Sequence, residues 1–153
     1  MKRFWLMKTE PGTFSFDDLV RKGSTGWDGV RNYQARNMLR DEVQPGDRVL
    51  VYHSGDAKAV VGEAEVVRGG HPDPTQFDAK DDHYDPAARP EAPTWFQVEV
   101  RALRPLRPVT LEAMKREPAL RGLALLRRGN RLSVQPVSAE HYRRIVKMAT
   151  APG

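Results

Sequence analysis

The segment WDGVRNYQARN, residues 27–37, places a tryptophan, a tyrosine, two asparagines and two arginines within eleven positions. Asn32 is a favourable N-cap, because its side-chain oxygen can accept a hydrogen bond from a backbone N–H of the first helical turn. Three apolar residues follow at the spacing of one helix face: Ala35, Met38 and Leu39. The segment therefore predicts a turn that leads into a helix, and its polar and aromatic side chains before the helix suit contact with a flat, polar ligand.

Short segments with strand or helix patterns lie on both sides of this turn. Strands are predicted over residues 4–7, 44–54 (after an initial turn), 60–67, 95–106 and 131–137. Helices are predicted to begin at the N-caps Ser15, Asn32, Thr110 and Ser138. Four or five short strands with helices between them favour an α+β fold built on a small mixed β-barrel, in a single domain over residues 1–150.

The predicted strand VVGEAEVV, residues 60–67, has an alternating pattern that assigns its two faces. One face is expected to carry Val60, Gly62, Ala64 and Val66, and the other Glu63 and Glu65. The small residues Gly62 and Ala64 suit a tightly curved sheet. Residues 69–94 are rich in glycine, proline and aspartate and predict a long loop, and loops of that length in compact domains are often functional.

The composition is that of an ordinary globular protein. The chain has 153 residues, of which 39% are hydrophobic and 29% charged. No segment approaches the roughly 20 apolar residues of a membrane-spanning helix, and Glu10 and Pro11 interrupt the N-terminal segment too early for a signal peptide. The chain contains no cysteine. This excludes disulfides and thiolate catalysis and leads us to expect a reducing, cytoplasmic location and no membrane partner.

Charge is distributed unevenly along the chain. Residues 1–100 contain 13 Lys and Arg against 17 Asp and Glu, whereas residues 101–153 contain 12 against 3. The net charge of the whole chain is +5. A basic C-terminal third suggests a polyanionic partner such as nucleic acid, although an arginine-rich solvated surface explains the charge equally well.

Several kinds of catalytic or metal site lack support. His53, Ser54 and Asp56 have the residue types of a hydrolase triad, but neighbours on a strand point to opposite faces. The phosphate-binding patterns GxxxxGK[ST] and GxGxxG are absent, so no nucleotide cofactor is expected. The loop residues His71, Asp73, Asp78, Asp81, Asp82, His83 and Asp85 match no metal-binding spacing. We expect turns there and no metal.

Polar and aromatic side chains gather at two predicted strand ends. Lys8, Thr9 and Glu10 follow the first strand, and Tyr52, His53 and Ser54 end the second. Strand ends that converge at one mouth of a small barrel form pockets. With Trp27, Arg31, Asn32 and Tyr33, they combine aromatic faces with groups that can hydrogen-bond the rim of a nucleobase.

Each of these residues also has a purely structural explanation. Trp27 fits a core position, and Asn32 can be a helix cap alone. His53 fits a strand end with satisfied hydrogen bonds, Arg31 an ion pair, and Lys8 a side chain that extends its charge into water. The individual residues leave both explanations open.

The combination of segments is more specific than any one of them. WLMKTEP (5–11), WDGVRNYQARN (27–37), DRVLVYHS (47–54), HPDPTQFD (71–78), HYDP (83–86) and RLSVQPV (131–137) run in this order over nearly the whole chain. In these segments the sequence resembles the EVE domain family. The resemblance implies a PUA-like fold and a domain that recognises modified bases in DNA or RNA, with an extruded base held in an aromatic-walled pocket.

The resemblance also implies binding roles for particular positions. The family's Lys-Ser/Thr-Glu-Pro, Trp-Asp-Gly-Val-Arg-Asn and Tyr-His-Ser steps are matched at residues 8–11, 27–32 and 52–54. We expect Trp27, with Tyr33, to stack on the base, and Asn32, Thr9 and Ser54 to contact its edge. Arg31, Lys8 and Arg131 are expected to hold phosphate or a polar modification. The expected binding set is completed by Glu10, Tyr52, His53 and Ser133.

Three functions remain open at the level of sequence. The first is a non-catalytic module that binds modified nucleic acid, with basic residues 101–131 contacting phosphates. The second is an enzyme acting on a nucleotide or small acid, with His53 or Glu10 as general base. The third is a small-ligand or protein-interaction module.

Overall fold

The computed structural model describes residues 2–150 as one mixed sheet covered by helices on both faces. The strands are β1 (Phe4–Thr9), β2 (Ser24–Gly26), β3 (Arg48–His53), β4 (Ala59–Pro72), β5 (Phe96–Thr110) and β6 (Val134–Val137). The helices are α1 (Phe16–Lys22), α2 (Tyr33–Asp41), α3 (Leu111–Lys115) and α4 (Ala139–Thr150). The predicted α+β class is confirmed. Within residues 2–150 no helix is long and apolar enough to cross a membrane.

The sheet has the strand order β2-β5-β4-β3-β1-β6. β1 and β3 are parallel and in register from Phe4↔Arg48 to Thr9↔His53, whereas the other neighbouring strands are antiparallel. The predicted convergence of the ends of β1 and β3 is therefore confirmed. β2 and β6 are the edges of the sheet, and Pro136 lies in an edge strand as its sequence context predicted.

Two apolar clusters lie on opposite faces of the sheet. α1 and α2 cover one face together with Trp27, and α3 and α4 cover the other together with the apolar residues of segment 120–126. The predicted caps are present: Ser15 forms a capping box with Asp18, and the Asn32 side chain accepts from the Ala35 N–H at 3.0 Å. Local sequence therefore sets where the helices begin.

The structure corrects three details of the expected sheet. There are six strands among the described residues, because the three-residue β2 is too short for a periodic signal. β4 extends to Pro72, so the long loop begins at residue 73 rather than 69. The pattern of faces predicted for β4 was wrong at Val60, because a bulge near Val61 turns Val60 towards the second cluster while Ala64 and Val66 face the first.

Glu63, which was expected on the same face as Glu65, is buried where α4 packs on the sheet. Glu63 is only 4% exposed, and its carboxylate accepts from the Tyr142 hydroxyl and the Arg104 guanidinium. Opposite the β4 bulge, the Phe16 ring packs on Gly62, where an added Cβ would lie 2.3 Å from a ring carbon. Only glycine permits this approach, and it brings α1 down onto the sheet beside the end of β1.

Candidate nucleobase-binding cavity

An open cavity of about 460 Å³ lies at the carboxyl end of β1. This volume falls within the range of small-molecule sites, roughly 300–1,000 Å³. Its walls come from the end of β1 and the following turn, from the segment around β2, from the loop after β4 and from the start of β6. The lining residues are Lys8, Thr9, Glu10, Thr13, Phe14, Lys22, Thr25, Gly26, Trp27, Asp28, Gly29, Val30, Arg31, His83 and Ser133.

The first part of the WDGVRNYQARN segment supplies one continuous wall of this cavity. All five residues from Trp27 to Arg31 line it. The backbone N–H of Trp27 donates to the Val98 carbonyl at 2.7 Å, which fixes the start of the segment against β5. The segment then enters α2 through the Asn32 cap. One short stretch therefore both begins a helix and forms a cavity wall.

Trp27 belongs to the core as well as to the cavity. It is 5% exposed, packs in the first apolar cluster and meets the Phe14 ring edge to face, with 6.3 Å between ring centroids. Its indole N–H has no hydrogen-bond partner within residues 2–150, whereas those of Trp5 and Trp95 donate to Asp47 and Asp85. Trp27 can offer a ligand only a small part of its ring and is not the broad, open stacking surface that its residue type suggested.

Gly29 allows the loop after β4 to close against the motif. Its φ of +78° is a left-handed conformation that favours glycine, and an added Cβ would lie 2.7 Å from the His83 ring. The His83 ring is held in turn beside Asp81, with 3.2 Å between Nδ1 and a carboxylate oxygen. His83 was considered in the sequence only as a metal-ligand candidate, and it becomes part of the cavity wall through this contact.

Arg31 lines the cavity, but its guanidinium is fully used inside the protein. Its five N–H groups donate to the carbonyls of Val30 and His83, to the Thr75 hydroxyl and to the Asp73 carboxylate. The guanidinium also lies 5.3 Å from the Trp95 ring centroid. We therefore assign Arg31 to positioning of the loop, and not to the phosphate contact expected from sequence.

Asp73 forms the ion pair with Arg31, although the sequence had predicted only a turn at this position. It is 0% exposed and accepts four hydrogen bonds, from the Gly29 N–H, Arg31 Nη1, the Thr75 N–H and the Thr75 hydroxyl. Burial favours the protonated form, but the hydrogen bonds from Thr75, Gly29 and Arg31 outweigh burial and hold the pKa of Asp73 below its usual range. An ionised Asp73 thus connects HPDP to the WDGVRN segment.

Gln76 organises the rest of this loop. Its side-chain amide donates to the carbonyls of Asp73 and Trp95 and accepts from the N–H groups of Thr94 and Trp95. The Trp95 indole donates to Asp85 at 2.8 Å. The motifs HPDPTQFD and HYDP therefore hold the loop together, which explains why a long Asp- and Pro-rich segment forms a fixed cavity wall. Among the described residues, no group of three or more His, Asp or Glu could hold a metal ion.

The Lys-Thr-Glu step at the end of β1 provides polar groups on the opposite side. Lys8, Thr9 and Glu10 all line the cavity. The Thr9 hydroxyl donates to the Phe14 carbonyl at 2.7 Å, and Glu10 accepts from the Gly12 N–H at 3.3 Å. The Lys8 ammonium has no hydrogen-bond partner in the described part of the chain and lies 5.9 Å from the centroid of the Tyr52 ring, and burial lowers its pKa.

Two expected binding residues of the motif lie outside the cavity. The Asn32 side chain is occupied as the α2 cap, and Asn32 is absent from the lining. Tyr33 is 62% exposed and stacks on Trp95, with centroids 5.0 Å apart, rather than facing the cavity. The helix that begins at Asn32 turns both side chains away from the wall formed by residues 27–31.

The expected contributions of Tyr52, His53 and Ser54 are also absent from the lining. Tyr52 is buried in the second apolar cluster, on the other face of the sheet. His53 Nε2 accepts from the Phe16 N–H at 3.0 Å, so the histidine completes the start of α1. The Ser54 N–H donates to the Thr9 carbonyl. These residues pack beside the end of β1 and do not line the cavity.

Ser133 and Arg131 have different positions. Ser133 lines the cavity, and its carbonyl accepts from the Lys8 N–H at 2.8 Å. Arg131 lies two residues earlier, outside the lining. It belongs to residues 127–131, which we call the arginine loop, and its exposed arginines are Arg127, Arg128 and Arg131. None of the three makes an ion pair within residues 2–150.

The arginine loop is anchored despite its exposed side chains. The Asn130 amide donates to the Ala124 carbonyl and accepts from the Leu132 N–H and from Gln135, which is buried in β6. This network fixes the loop next to Ser133. Three unpaired guanidinium groups are therefore held at the side of the cavity where β6 begins.

The comparisons with known proteins agree with this architecture. A family model described as the EVE domain matches residues 3–148. The chain belongs to the EVE domain family. Thymocyte nuclear protein 1 of Danio rerio is 37% identical, in an alignment that covers 94% of this chain and 71% of the relative.

Solved structures show that the fold is shared closely. A protein of Leishmania major superposes with a TM-score of 0.93 at 42% identity, covering 97% of this chain and 95% of that one. Human THYN1, solved in complex with DNA containing 5-methylcytosine, superposes with a TM-score of 0.90 at 33% identity, covering 99% of this chain and 100% of that one. The EVE domain identified here has the PUA-like fold that the sequence resemblance implied.

Proposed function

We propose that this protein is a non-catalytic DNA-binding module that holds a modified base, with 5-methylcytosine as the first candidate, in the cavity at the end of β1. The observation that carries the proposal is the cavity itself. Four of the segments that match the family meet in it, and its wall combines the apolar residues Phe14, Trp27 and Val30 with open polar groups. The DNA complex of the human relative supports DNA with a modified cytosine as the ligand.

The structure supports a division between base contacts and phosphate contacts. A base inside the cavity would meet Phe14, Val30 and the small exposed part of Trp27, together with Lys8 and Ser133. A base that is paired and stacked in a duplex exposes only part of its edge. A protein that contacts the whole base must therefore extrude it into a pocket of this kind. The arginine loop would contact neighbouring phosphates, since its three guanidinium groups have no ion-pair partner among residues 2–150.

A binding comparison at fixed salt tests the proposal. We expect the protein to prefer a duplex with one 5-methylcytosine over the same duplex with cytosine by roughly fourfold, from about 0.8 kcal/mol for one buried methyl-sized group. RNA versions of both oligonucleotides form a second arm, because the sequence leaves DNA and RNA open. Fluorescence anisotropy provides the dissociation constants.

A cavity-filling variant separates the cavity from the rest of the surface. Trp27→Ala is unsuitable, because removing a buried tryptophan costs about 3–5 kcal/mol of folding stability. Thr13→Trp is better, since Thr13 is exposed and lines the cavity. We expect it to abolish the preference for 5-methylcytosine, while the control Val20→Trp, on the exposed surface of α1, keeps it. Unchanged preference in Thr13→Trp would contradict binding in this cavity.

The enzymatic alternative has less support. His53 Nε2 already accepts a backbone hydrogen bond and lies outside the cavity, so that of the two bases considered from the sequence only Glu10 lines it. We propose that bound oligonucleotide is recovered unchanged, and mass spectrometry after prolonged incubation checks this. The cysteine-free composition supports a reducing intracellular compartment as part of the same proposal.

A further inference from the structure

Asp28 is the acidic group of the cavity whose hydrogen-bonding capacity is unused. The carboxylates of the surrounding loop, those of Asp73, Asp81 and Asp85, accept hydrogen bonds from protein donors. The Asp28 carboxylate accepts none from residues 2–150, although Asp28 lines the cavity directly beside Trp27. It is therefore open to a donor that a ligand brings.

The electrostatic setting of Asp28 favours such a donor. Burial raises the pKa of the Asp28 carboxyl, and the charge of Asp73 raises it further, against a smaller opposing effect of His83. Asp28 is nevertheless exposed, so its carboxylate is accessible to a ligand, and it lies close to a second negative charge. An N–H donor on a ligand would supply the missing hydrogen bond, and hydrogen bonds to charged groups are stronger than those between neutral groups.

The cavity offers a donor as well as this acceptor. The Trp27 indole N–H lacks a hydrogen-bond partner in the described chain, and Trp27 lines the same space. The open groups are therefore one carboxylate acceptor and one indole donor at the same cavity. This is the complement of a ring edge that carries an amino group beside a ring nitrogen.

We infer that Asp28 determines specificity at the proposed base site by accepting from the exocyclic amino group of the bound base, so that amino-bearing bases are selected over their keto counterparts. The inference rests on the proposed function. Cytosine presents an N4 amino donor, and an Asp or Glu is its usual side-chain partner. Thymine presents the O4 carbonyl at the same place, so two acceptors would face each other and Asp28 would lose its partner.

5-Methylcytosine and thymine form a matched pair of probes for this inference. Both carry a methyl group at C5, and they differ in the amino or keto group at C4 and in the proton on N3. Each is placed once in an otherwise identical DNA duplex opposite an abasic site, so that neither is base-paired and extrusion costs are similar. We expect the parent protein to prefer the 5-methylcytosine duplex by about five- to 150-fold, the discrimination of one well-formed base contact.

Asp28→Asn is the decisive variant, because its amide can donate as well as accept. We expect the preference for 5-methylcytosine over thymine to fall to about threefold or less, mainly through tighter binding of thymine. Asp82→Asn is the control: Asp82 is exposed, lies outside the cavity and accepts no hydrogen bond within residues 2–150, so the same change of charge should leave the preference intact. Thermal melting of both variants should match the parent, because neither carboxylate has a hydrogen-bond partner in the described part of the chain.

The outcomes separate this inference from the function on which it rests. Equal binding of the two duplexes by the parent, or an unchanged preference in folded Asp28→Asn, overturns the role of Asp28. If Thr13→Trp still removes the selectivity for 5-methylcytosine over cytosine, base binding in the cavity stands without that role. If Thr13→Trp binds every duplex as the parent does, the cavity function itself fails, and the role of Asp28 with it.

Discussion

Arginines occur in two contrasting settings near the cavity. Arg31 uses all five N–H groups on protein acceptors and lies on Trp95, whereas Arg127, Arg128 and Arg131 have no ion-pair partner within residues 2–150. Arg31 and Arg131 both lie in segments that match the family, whereas Arg127 and Arg128 do not. Motif membership alone therefore does not distinguish a residue that holds the site together from one that contacts a ligand.

The difference has a physical origin in hydrogen-bond satisfaction. A guanidinium that is buried must use its donors inside the protein, because an unpaired buried charge is costly. A guanidinium on an anchored, exposed loop keeps its donors for solvent or for a phosphate. Substitutions around Arg31 should consequently change stability, whereas substitutions in the arginine loop should change DNA affinity.

The largest expected effect is on the positioning side. Asp73→Ala leaves the Arg31 charge without its buried partner and the Gly29 and Thr75 N–H groups without an acceptor. We expect the free energy of unfolding to fall by about 3–5 kcal/mol, as for other broken buried ion pairs. Urea denaturation measures it, with exposed Asp82→Ala as the control. A loss below about 1 kcal/mol, within the range of ordinary single substitutions, would remove the distinction between the two settings.

The next effect is on the phosphate side. Replacing Arg127, Arg128 and Arg131 together by Gln should weaken DNA binding without changing thermal stability. If each contacts one phosphate, the slope of log affinity against log salt concentration should become less negative by about 2.7, from roughly 0.9 per phosphate. The preference for 5-methylcytosine over cytosine should persist, because the cavity is unchanged.

A matched control keeps the change of net charge constant. Arg21, Arg40 and Arg116 are exposed and already paired with carboxylates. Replacing these three by Gln removes the same charge from other surfaces. Equal salt slopes in the two triple variants would show that the arginine loop contributes only general charge.

The fold was largely predictable because its signals are local. The caps at Ser15 and Asn32 and the apolar periodicity of α2 depend on residues within four positions of each other, and all three are confirmed. The faces of β4 were not predictable, since a bulge shifts the alternation and depends on the pairing with β3. The three-residue β2 likewise forms only because β5 lies beside it.

The site was predictable in part for the same reason. Residues 27–31 and 8–10 line the cavity as consecutive stretches, so the motif that identified one residue identified its neighbours. The roles of Asp73 and Gln76 depend on partners 18 to 44 positions away, and no spacing in the sequence indicated those contacts. Proximity to a strand end likewise did not reveal that Tyr52 faces the other apolar cluster.

The smallest expected effect is on stability and concerns His53. The sequence predicted a binding role for this residue, whereas in the structure it accepts a hydrogen bond from the first turn of α1. Burial lowers the pKa of His53, and its Nε2 must be unprotonated to accept from the Phe16 N–H. Because the folded-state pKa lies below the unfolded value of about 6.5, the unfolded chain binds more protons in this range. Stability should therefore be full above about pH 6.5 and decline as the pH falls towards the folded-state pKa.

His53→Gln tests this assignment, since its amide oxygen can still accept from a backbone N–H but does not titrate. We expect a loss of about 1 kcal/mol or less at neutral pH and a weaker decline of stability between pH 7 and 5 than in the parent. His141→Gln, at a ring without a hydrogen bond among the described residues, should keep the decline of the parent. DNA affinity at pH 7.5 should be unchanged in both variants. A large, selective loss of binding in folded His53→Gln would instead return this histidine to the ligand site and show that satisfied internal hydrogen bonds do not mark a positioning residue here.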